Sequence, residues 1–174
     1  GLRYRVSAPA FFQVNTRQAE ALIGVALDRL LAIEPRVVVD AYSGVGLFSG
    51  ALLHGVPGWR AVAAEKSRSS VADARHNLAD IDAKVVSAPI EHLRAPKADV
   101  VVADPSRAGV GRAGVHVLAS SGAPRLVLVS CDPASAGRDT SLLVGVGYQP
   151  IESVVVDLFP HTRHIEVVTH FERS

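Results

Sequence analysis

The chain has 174 residues, of which 48% are hydrophobic, and its formal net charge is +1 at pH 7. This length and hydrophobic content predict one domain over residues 1–174 and exclude long disordered spans. The charge balance excludes a strong overall attraction to nucleic acid or to an anionic membrane, so RNA or DNA binding would require a local basic patch or a separate module.

The sequence contains one cysteine and no methionine. A lone cysteine excludes an internal disulfide and a cysteine cluster for zinc, which fits a cytoplasmic protein, and we expect a monomer without a bound metal. The sequence shows neither a signal peptide nor an apolar run of membrane-spanning length. Because the first residue is not methionine, we expect the chain to be a fragment of a longer protein.

The first predicted element is an amphipathic helix over residues 16–31. Apolar residues recur there at helical spacing from Ala19 to Leu30. Asn15 is a suitable N-cap, with Gln18 at the third helical position.

The following segment has the pattern of a nucleotide-binding unit. A strand over residues 36–40 ends in an acid and passes into a turn that contains Gly44 and Gly46. About twenty residues beyond the first glycine, a second strand ends at Glu65. A strand, a glycine turn, a helix and a second strand with a terminal acid are typical of half of a nucleotide-binding α/β sheet.

The residue types in this unit favour an adenosine cofactor. Gly44 lets the backbone approach a ligand closely, and the Glu65 carboxylate can accept hydrogen bonds from both hydroxyls of a ribose. The alternative is an ordinary strand-to-helix turn, because Ser49-Gly50 is out of step with the three-glycine dinucleotide fingerprint. The shorter Asp-x-x-x-Gly-x-Gly form is similar to the cofactor loop of S-adenosylmethionine (SAM) methyltransferases.

The middle of the chain places another carboxylate, Asp104, at the end of a strand. In open α/β sheets, ligands bind at the edge formed by the carboxyl ends of the strands. A glycine-rich stretch with two arginines, residues 106–114, predicts a loop that either contacts phosphate or is flexible and solvated. The other elements predicted here are helices over residues 47–53, 67–80 and 115–121, strands over 61–65, 84–87 and 98–105, and a connection over 89–96.

Cys131 lies where a strand pattern passes into a helix start. The strand is predicted over residues 126–129, and Asp132-Pro133 suits an N-cap followed by proline at the first helical position. The positive end of the helix dipole favours the thiolate, which is the nucleophilic form of cysteine. The alternative is that Cys131 is a small buried side chain.

The C-terminal part predicts a helix over residues 134–146 and two long strands over 148–159 and 164–171, joined as an antiparallel hairpin. The whole pattern therefore predicts an α/β fold with a mostly parallel sheet and a C-terminal antiparallel hairpin. This is the layout of the Rossmann-like class I SAM methyltransferase fold.

Five segments in order along the chain resemble the RNA uracil-5 methyltransferases, and the resemblance covers essentially the whole chain as the catalytic domain of that family. The segments are Phe12-Gln13-Val14-Asn15, Asp40-Ala41-Tyr42-Ser43-Gly44-Val45-Gly46, Asp104-Pro105-Ser106-Arg107-Ala108-Gly109, Ser130-Cys131-Asp132-Pro133-Ala134 and Phe159-Pro160-His161-Thr162-Arg163-His164-Ile165-Glu166.

The resemblance implies methyl transfer from SAM to carbon 5 of a uridine in tRNA or ribosomal RNA. It implies Cys131 as the nucleophile and Glu166 as the base that removes a proton. The residues expected to line the cofactor and uracil pockets are Gln13, Tyr42, Gly44, Glu65 and Asp104. The alternatives are a SAM methyltransferase acting on another substrate, with Cys131 merely packed, and a SAM-binding or RNA-binding module without catalysis.

The chain also departs from the family pattern. Family members often have asparagine at the position of Leu47 and cysteine at the position of Ser43, so one polar contact to the cofactor is expected to be missing. Full-length members usually have upstream RNA-binding regions, which this sequence does not include. We expect His161 and His164, on either side of the loop before Glu166, to have structural rather than catalytic roles.

Overall fold

Seven strands form one sheet in the part of the chain described by the structure, a computed structural model that covers residues 2–10, 12, 16–28, 30, 36–56, 58–157 and 165–173. The strands are β1 (Val37–Ala41), β2 (Arg60–Glu65), β3 (Ala83–Ser87), β4 (Val100–Ala103), β5 (Arg125–Ser130), β6 (Tyr148–Val156) and β7 (Glu166–Arg173). The helices in these ranges are α1 (Thr16–Asp28), α2 (Leu47–Gly55), α3 (Arg68–Asn77), α4 (Gly111–Ser120) and α5 (Pro133–Gly145), with a 3₁₀ turn at Ile90–His92.

The sheet has the strand order β3-β2-β1-β4-β5-β7-β6. The strands from β3 to β5 are mutually parallel, and β7 is antiparallel to both β5 and β6. The predicted fold class, a mostly parallel sheet with a C-terminal antiparallel pair, is therefore confirmed. The sequence pattern did not predict that β7 would lie between β5 and β6.

Helices cover both faces of the sheet, because the central strands are apolar on both sides. Val38 of β1 packs in one cluster with Leu22 of α1 and Leu52 of α2. Its neighbour Val39 packs on the opposite face, in the cluster that contains Leu118 of α4. Both valines are 0% exposed. The loops at the carboxyl ends of the parallel strands thus stand on a rigid three-layer support.

The N-terminal segment of residues 2–10 lies against α2 and α3. The backbone N–H and hydroxyl of Ser7 donate to the Asp73 carboxylate at 2.6 and 2.8 Å, and Arg5 forms an ion pair with it at 3.2 Å. Asn77 Nδ2 donates both to the Arg5 carbonyl and to the Val45 carbonyl. This amide therefore connects the N-terminal segment to the glycine turn after β1.

Several predicted boundaries need correction. Residues 106–114 were predicted to form a loop and 115–121 a helix, but α4 begins at Gly111. Its N-cap is Val110, which has no side chain able to cap the helix, so the local sequence carries no start signal. The cap is supplied from α5 by Asp139, which accepts the backbone N–H groups of Val110 and Gly111 at 2.6 and 3.1 Å.

Other differences concern element ends. β4 is shorter than predicted at both ends, and β7 begins at Glu166 rather than at position 164 and continues to Arg173. The proposed N-cap Asn15 and the connection over residues 160–163 lie outside the described residues. None of the helices in the described ranges has the length and apolarity needed to cross a membrane.

Candidate active site

The glycine turn after β1 is fixed by a carboxylate from the end of β2. Glu65 Oε2 accepts the Gly44 backbone N–H at 3.0 Å, and Oε1 accepts the Ser67 N–H at 2.7 Å. Carboxylate oxygens have further lone pairs, so Glu65 holds the turn and can still accept a ligand hydroxyl.

The backbone of this turn requires unusual conformations. Tyr42 has φ 63°, which is costly for a residue with a side chain and is characteristic of functional sites. Gly44 has φ 54°, and no heavy atom lies within 4 Å of the place a Cβ would take, so a ligand can approach the backbone there. At Gly46, with φ 90°, a Cβ would lie 2.9 Å from Leu78, so this glycine is needed for packing.

Asp40 lies behind the turn and organises α2. It is 0% exposed, and its Oδ2 accepts both the backbone N–H and the hydroxyl of Ser49, at 2.9 and 2.6 Å. The N-cap of α2 is Gly46, which has no side chain, so Asp40 caps the first turn from β1. Burial raises the pKa of Asp40 to about 6, and the nearby Glu65 charge adds to the effect.

Cys131 lies where the sequence predicted it, immediately before the N-cap of α5. Asp132 accepts the Ser135 backbone N–H at 2.8 Å, and Pro133 is the first helical residue. In the β5–β7 ladder Ser130 is paired with Val167, so the next positions, Cys131 and Glu166, stand opposite one another. Cys131 is half-buried, whereas Glu166 is 6% exposed.

The acids around Cys131 resist ionisation. Burial raises the pKa of Glu166 to about 7, partly offset by the positive charge of Arg107. Burial raises the pKa of Asp104 to about 8, with contributions from the Glu166 and Asp40 charges. Near neutral pH, Asp104 therefore tends to be protonated, and Glu166 is close to half-ionised.

Other groups oppose the effect that the helix N-terminus is predicted to have on the Cys131 thiolate. The pKa of the thiol is raised, first by burial and then by the negative charges of Glu166 and Asp104. Arg107 acts in the opposite direction, but its effect is smaller. Protonation of the two acids would remove the repulsion that they exert on the thiolate.

Three buried side-chain atoms in the described ranges have no hydrogen-bond partner, and all lie at this edge of the sheet: Asp40 Oδ1, Ser43 Oγ and Glu166 Oε2. Buried polar atoms are normally paired, so each one calls for an explanation. Two lie on the side of the glycine turn and one beside Cys131. This distribution fits a site with a cofactor pocket and a reaction centre next to each other.

The predicted site residues fall into two neighbouring groups. Tyr42, Gly44 and Glu65 belong to the glycine turn, while Asp104, Cys131 and Glu166 interact through their charges. The Tyr42 hydroxyl lies toward α4, where a Cβ on Gly114 would be 3.0 Å from it. Gln13, His161 and His164 lie outside the described residues.

The sequence did not reveal the roles of several residues that determine the geometry and electrostatics of the site. Asp40 was recognised as a strand-end acid, but its capping of α2 was not predicted. Arg107 was noted only as one of two arginines in a glycine-rich stretch, and Asp139 gave no signal. Leu47, one of the two departures from the family pattern, is 9% exposed and offers no polar side-chain contact. No group of three or more potential metal ligands occurs among the described residues.

The seven-stranded sheet, the glycine turn and the acid at the end of β2 define the Rossmann-like α/β fold of the class I SAM methyltransferases. An uncharacterized RNA methyltransferase of Streptomyces coelicolor is 38% identical to the chain over 175 residues, covering 97% of this chain and 38% of that protein. No family model matches the chain.

Solved structures support the fold. The Pyrococcus abyssi tRNA (uracil-54, C5)-methyltransferase in complex with S-adenosyl-L-homocysteine has a TM-score of 0.85 and 30% identity, covering 98% of this chain and 42% of that one. Precorrin-6y C5,15-methyltransferase from Geobacter metallireducens, at 15% identity and a TM-score of 0.74, shows the fold alone. The chain spans about two-fifths of the length of the curated relatives it matches.

The raised carboxyl pKa values predict a specific pH dependence of stability. Below about pH 3, Asp40, Asp104 and Glu166 are protonated in both the folded and the unfolded chain, and between about pH 4 and pH 8 the folded chain retains more protons. Their contribution to the free energy of unfolding is therefore present at low pH and is lost as the pH rises. Relative to wild type, Asp104→Asn should gain about 1 kcal/mol or more in free energy of unfolding between about pH 5 and pH 8.

Denaturant unfolding at several pH values measures this difference. Ser106→Ala changes an exposed neighbour without removing a titrating group, so its curve should run parallel to that of the wild type. A parallel curve for Asp104→Asn would show that this acid titrates normally.

Proposed function

We propose that the chain is the catalytic domain of a SAM-dependent RNA methyltransferase that methylates carbon 5 of a uridine in tRNA or ribosomal RNA. The observation that carries the proposal is the position of Cys131 opposite Glu166 at the end of the β5–β7 ladder, at the same edge of the sheet as the glycine turn. Support comes from the similarity to the Pyrococcus abyssi enzyme, whose name states this reaction on a tRNA.

The residues of the glycine turn fit an adenosine cofactor. We assign the ribose hydroxyls to Glu65, which binds the Gly44 N–H, and the open side of Gly44 supports contact between the ligand and the backbone. The Ser43 hydroxyl and Asp40 Oδ1, both buried without a partner, lie behind the same turn. We assign Tyr42, Asp104 and Gln13 to the remaining walls of the cofactor and uracil pockets. Bound there, SAM supplies an electrophilic methyl group.

Carbon 5 of uracil is too weak a nucleophile to take a methyl group directly. The enzyme must therefore first add a nucleophile of its own to the ring. The Cys131 thiolate forms a bond from Sγ to carbon 6, and the electron pair of the 5,6 double bond moves into an enolate. The enolate electron pair would then bond carbon 5 to the methyl group, the sulfur–methyl bond of the donor would break to leave S-adenosylhomocysteine, and carbon 5 would still bear its hydrogen. The Glu166 carboxylate removes that proton, the double bond forms again, and the bond from carbon 6 to Sγ breaks to release the thiolate. A thiolate both adds and leaves readily, which explains the choice of cysteine.

The raised pKa values suit this sequence of steps. A Glu166 with a pKa of about 7 can accept a proton from carbon 5 and return it to water near neutral pH. A protonated Asp104 can donate a hydrogen bond to a uracil carbonyl, where negative charge develops in the enolate. Because a base inside a duplex cannot reach a half-buried thiol, the target uridine must be extruded from its stack.

Cofactor binding is tested at Glu65. Glu65→Gln leaves one acceptor oxygen where two backbone N–H groups are now bound, so the affinity for S-adenosylhomocysteine should fall at least about tenfold. Calorimetric titration measures this without RNA. Asp99→Asn is a control for the loss of a carboxylate at the opposite edge of the sheet, where a single oxygen of Asp99 accepts two backbone N–H groups. Equal affinity in Glu65→Gln and wild type would remove Glu65 from the cofactor site.

The nucleophile is tested with RNA containing 5-fluorouracil. Fluorine cannot be removed as a proton is, so the reaction should stop at a covalent protein–RNA adduct in the presence of SAM. The wild type should give a band stable to denaturing electrophoresis, with the RNA linked to the peptide containing Cys131, and Cys131→Ala should give none. Absence of an adduct from wild-type protein that binds the RNA would favour methylation of another substrate or a binding module without catalysis.

The base is tested with ordinary uridine RNA. Glu166→Gln should still add Cys131 to the base and accept the methyl group, but it should release product about 100-fold more slowly or worse, because no carboxylate removes the proton. A methylated covalent intermediate should therefore accumulate and be visible by mass spectrometry. Turnover at the wild-type rate would exclude Glu166 as the base.

A further inference from the structure

A buried carboxylate on α5 holds the segment that follows β4. Asp139 is 0% exposed, and its two oxygens accept the backbone N–H groups of Val110 and Gly111 at 2.6 and 3.1 Å. The neighbouring Arg138 donates to Asp139 Oδ1 and also to the Ala108 carbonyl at 2.6 Å. Together these two side chains fix the backbone from position 108 to 111.

The glycine at position 109 is required by this arrangement. Gly109 has φ 74°, and a Cβ there would collide with Asp139 Oδ2 and Arg138 Nη2. Its N–H also closes a turn onto the Ser106 carbonyl at 2.7 Å. The backbone thus passes directly over the buried carboxylate, which leaves little freedom to the residues on either side of Arg107.

The same helix also determines the surroundings of Cys131. α5 begins at Pro133, two residues after Cys131, and Asp139 lies about 9 Å further along its axis. A single rigid element therefore connects the position of the thiol to the position of the 104–111 segment. That segment contains Asp104 and Arg107, whose charges act on Cys131 from the β4 side, while Glu166 acts from β7.

We propose that Asp139 is a positioning residue: by capping α4 from α5 it fixes the 104–111 segment and keeps Arg107 close to the Cys131–Glu166 pair. The functional meaning of this role rests on the proposed nucleophilic function of Cys131. Arg107 is exposed at the mouth of the site, and its positive charge favours the ionised forms of both Cys131 and Glu166. Asp139 itself does not contact the reacting atoms.

The single cysteine of the chain provides a test that needs neither RNA nor SAM. The rate of Cys131 alkylation by iodoacetamide at fixed pH reports its thiolate fraction and accessibility. Arg107→Ala should lower this rate about threefold, as expected for one partly screened charge. Asp139→Asn should lower it to a similar extent, and the double variant should be no slower than Arg107→Ala alone.

Two results distinguish a positioning role of Asp139 from other roles. They are the direction in which Asp139→Asn changes the alkylation rate and the way its effect combines with that of Arg107→Ala. If Asp139 acted only through its negative charge, its removal would make the thiol more acidic and alkylation faster. An unchanged or faster rate in Asp139→Asn would overturn the proposal. Multiplication of the two single effects in the double variant, to about ninefold, would also overturn it, because independent sites combine in that way.

Two further variants address general destabilisation. Asp99→Asn also removes a carboxylate that binds two backbone N–H groups, but about 16 Å from Asp104 along β4, so it should leave the alkylation rate unchanged. An equal slowing in Asp99→Asn would show a global effect and refute the positioning role. Gly109→Ala disturbs the same segment without removing Asp139 and should slow alkylation as Asp139→Asn does. A wild-type rate in Gly109→Ala would count against the proposal.

The second part of this test measures the rate of adduct formation with RNA containing 5-fluorouracil. Asp139→Asn should form the adduct more slowly than wild type, with unchanged affinity for S-adenosylhomocysteine. If the wild type forms no adduct, the proposed function fails, and the alkylation rates still decide whether Asp139 positions Arg107. A loss of cofactor affinity in Asp139→Asn would contradict a role confined to the Cys131 side.

Discussion

The pairing of β7 with β5 is the constraint on which the site depends. Because β7 is antiparallel to β5, its first residue lies at the edge where β5 ends. Had β7 continued the parallel order, Glu166 would have started at the opposite edge of the sheet, away from Cys131. The pairing of Ser130 with Val167 sets the register, and a slip of one residue would turn Glu166 to the other face. The strand order therefore brings together two residues that are 35 positions apart in the sequence.

Two buried aspartates also stabilise this edge of the sheet. Each one caps a helix from a different element of the fold. α2 and α4 both begin at residues that cannot cap them, Gly46 and Val110, and both receive a buried aspartate from another element. Burial raises the pKa of Asp40. The buried Asp139 carboxylate accepts two backbone N–H groups and forms an ion pair with Arg138. These caps hold the glycine turn after β1 and the 104–111 segment after β4, at the edge of the sheet where Cys131 follows β5.

A structural feature could be predicted from the sequence when the residues that determine it are adjacent in the chain. The glycine turn, the strand ending at Glu65 and the Asp132-Pro133 helix start are written in adjacent residues, and the structure has them at those places. The start of α4 was missed because its cap comes from Asp139, 29 residues away. The insertion of β7 into the sheet and the field of Arg107 at Cys131 depend on tertiary packing, which no local pattern encodes.

The electrostatics of the site connect substrate binding with the reactivity of the thiol. Burial raises the pKa of the Cys131 thiol, and the negative charges of Glu166 and Asp104 raise it further. Burial favours the protonated form of both, with a pKa of about 8 for Asp104 and about 7 for Glu166. A planar base that covers this edge would exclude water and extend that burial, so the acids would become more fully neutral. The same covering would bury the thiol further, which opposes its ionisation, so in the proposed mechanism Arg107 is the neighbouring charge that favours the thiolate once the acids are neutral. In the proposed mechanism, Glu166 must give up that proton to water before its carboxylate can accept the proton of carbon 5 after methylation.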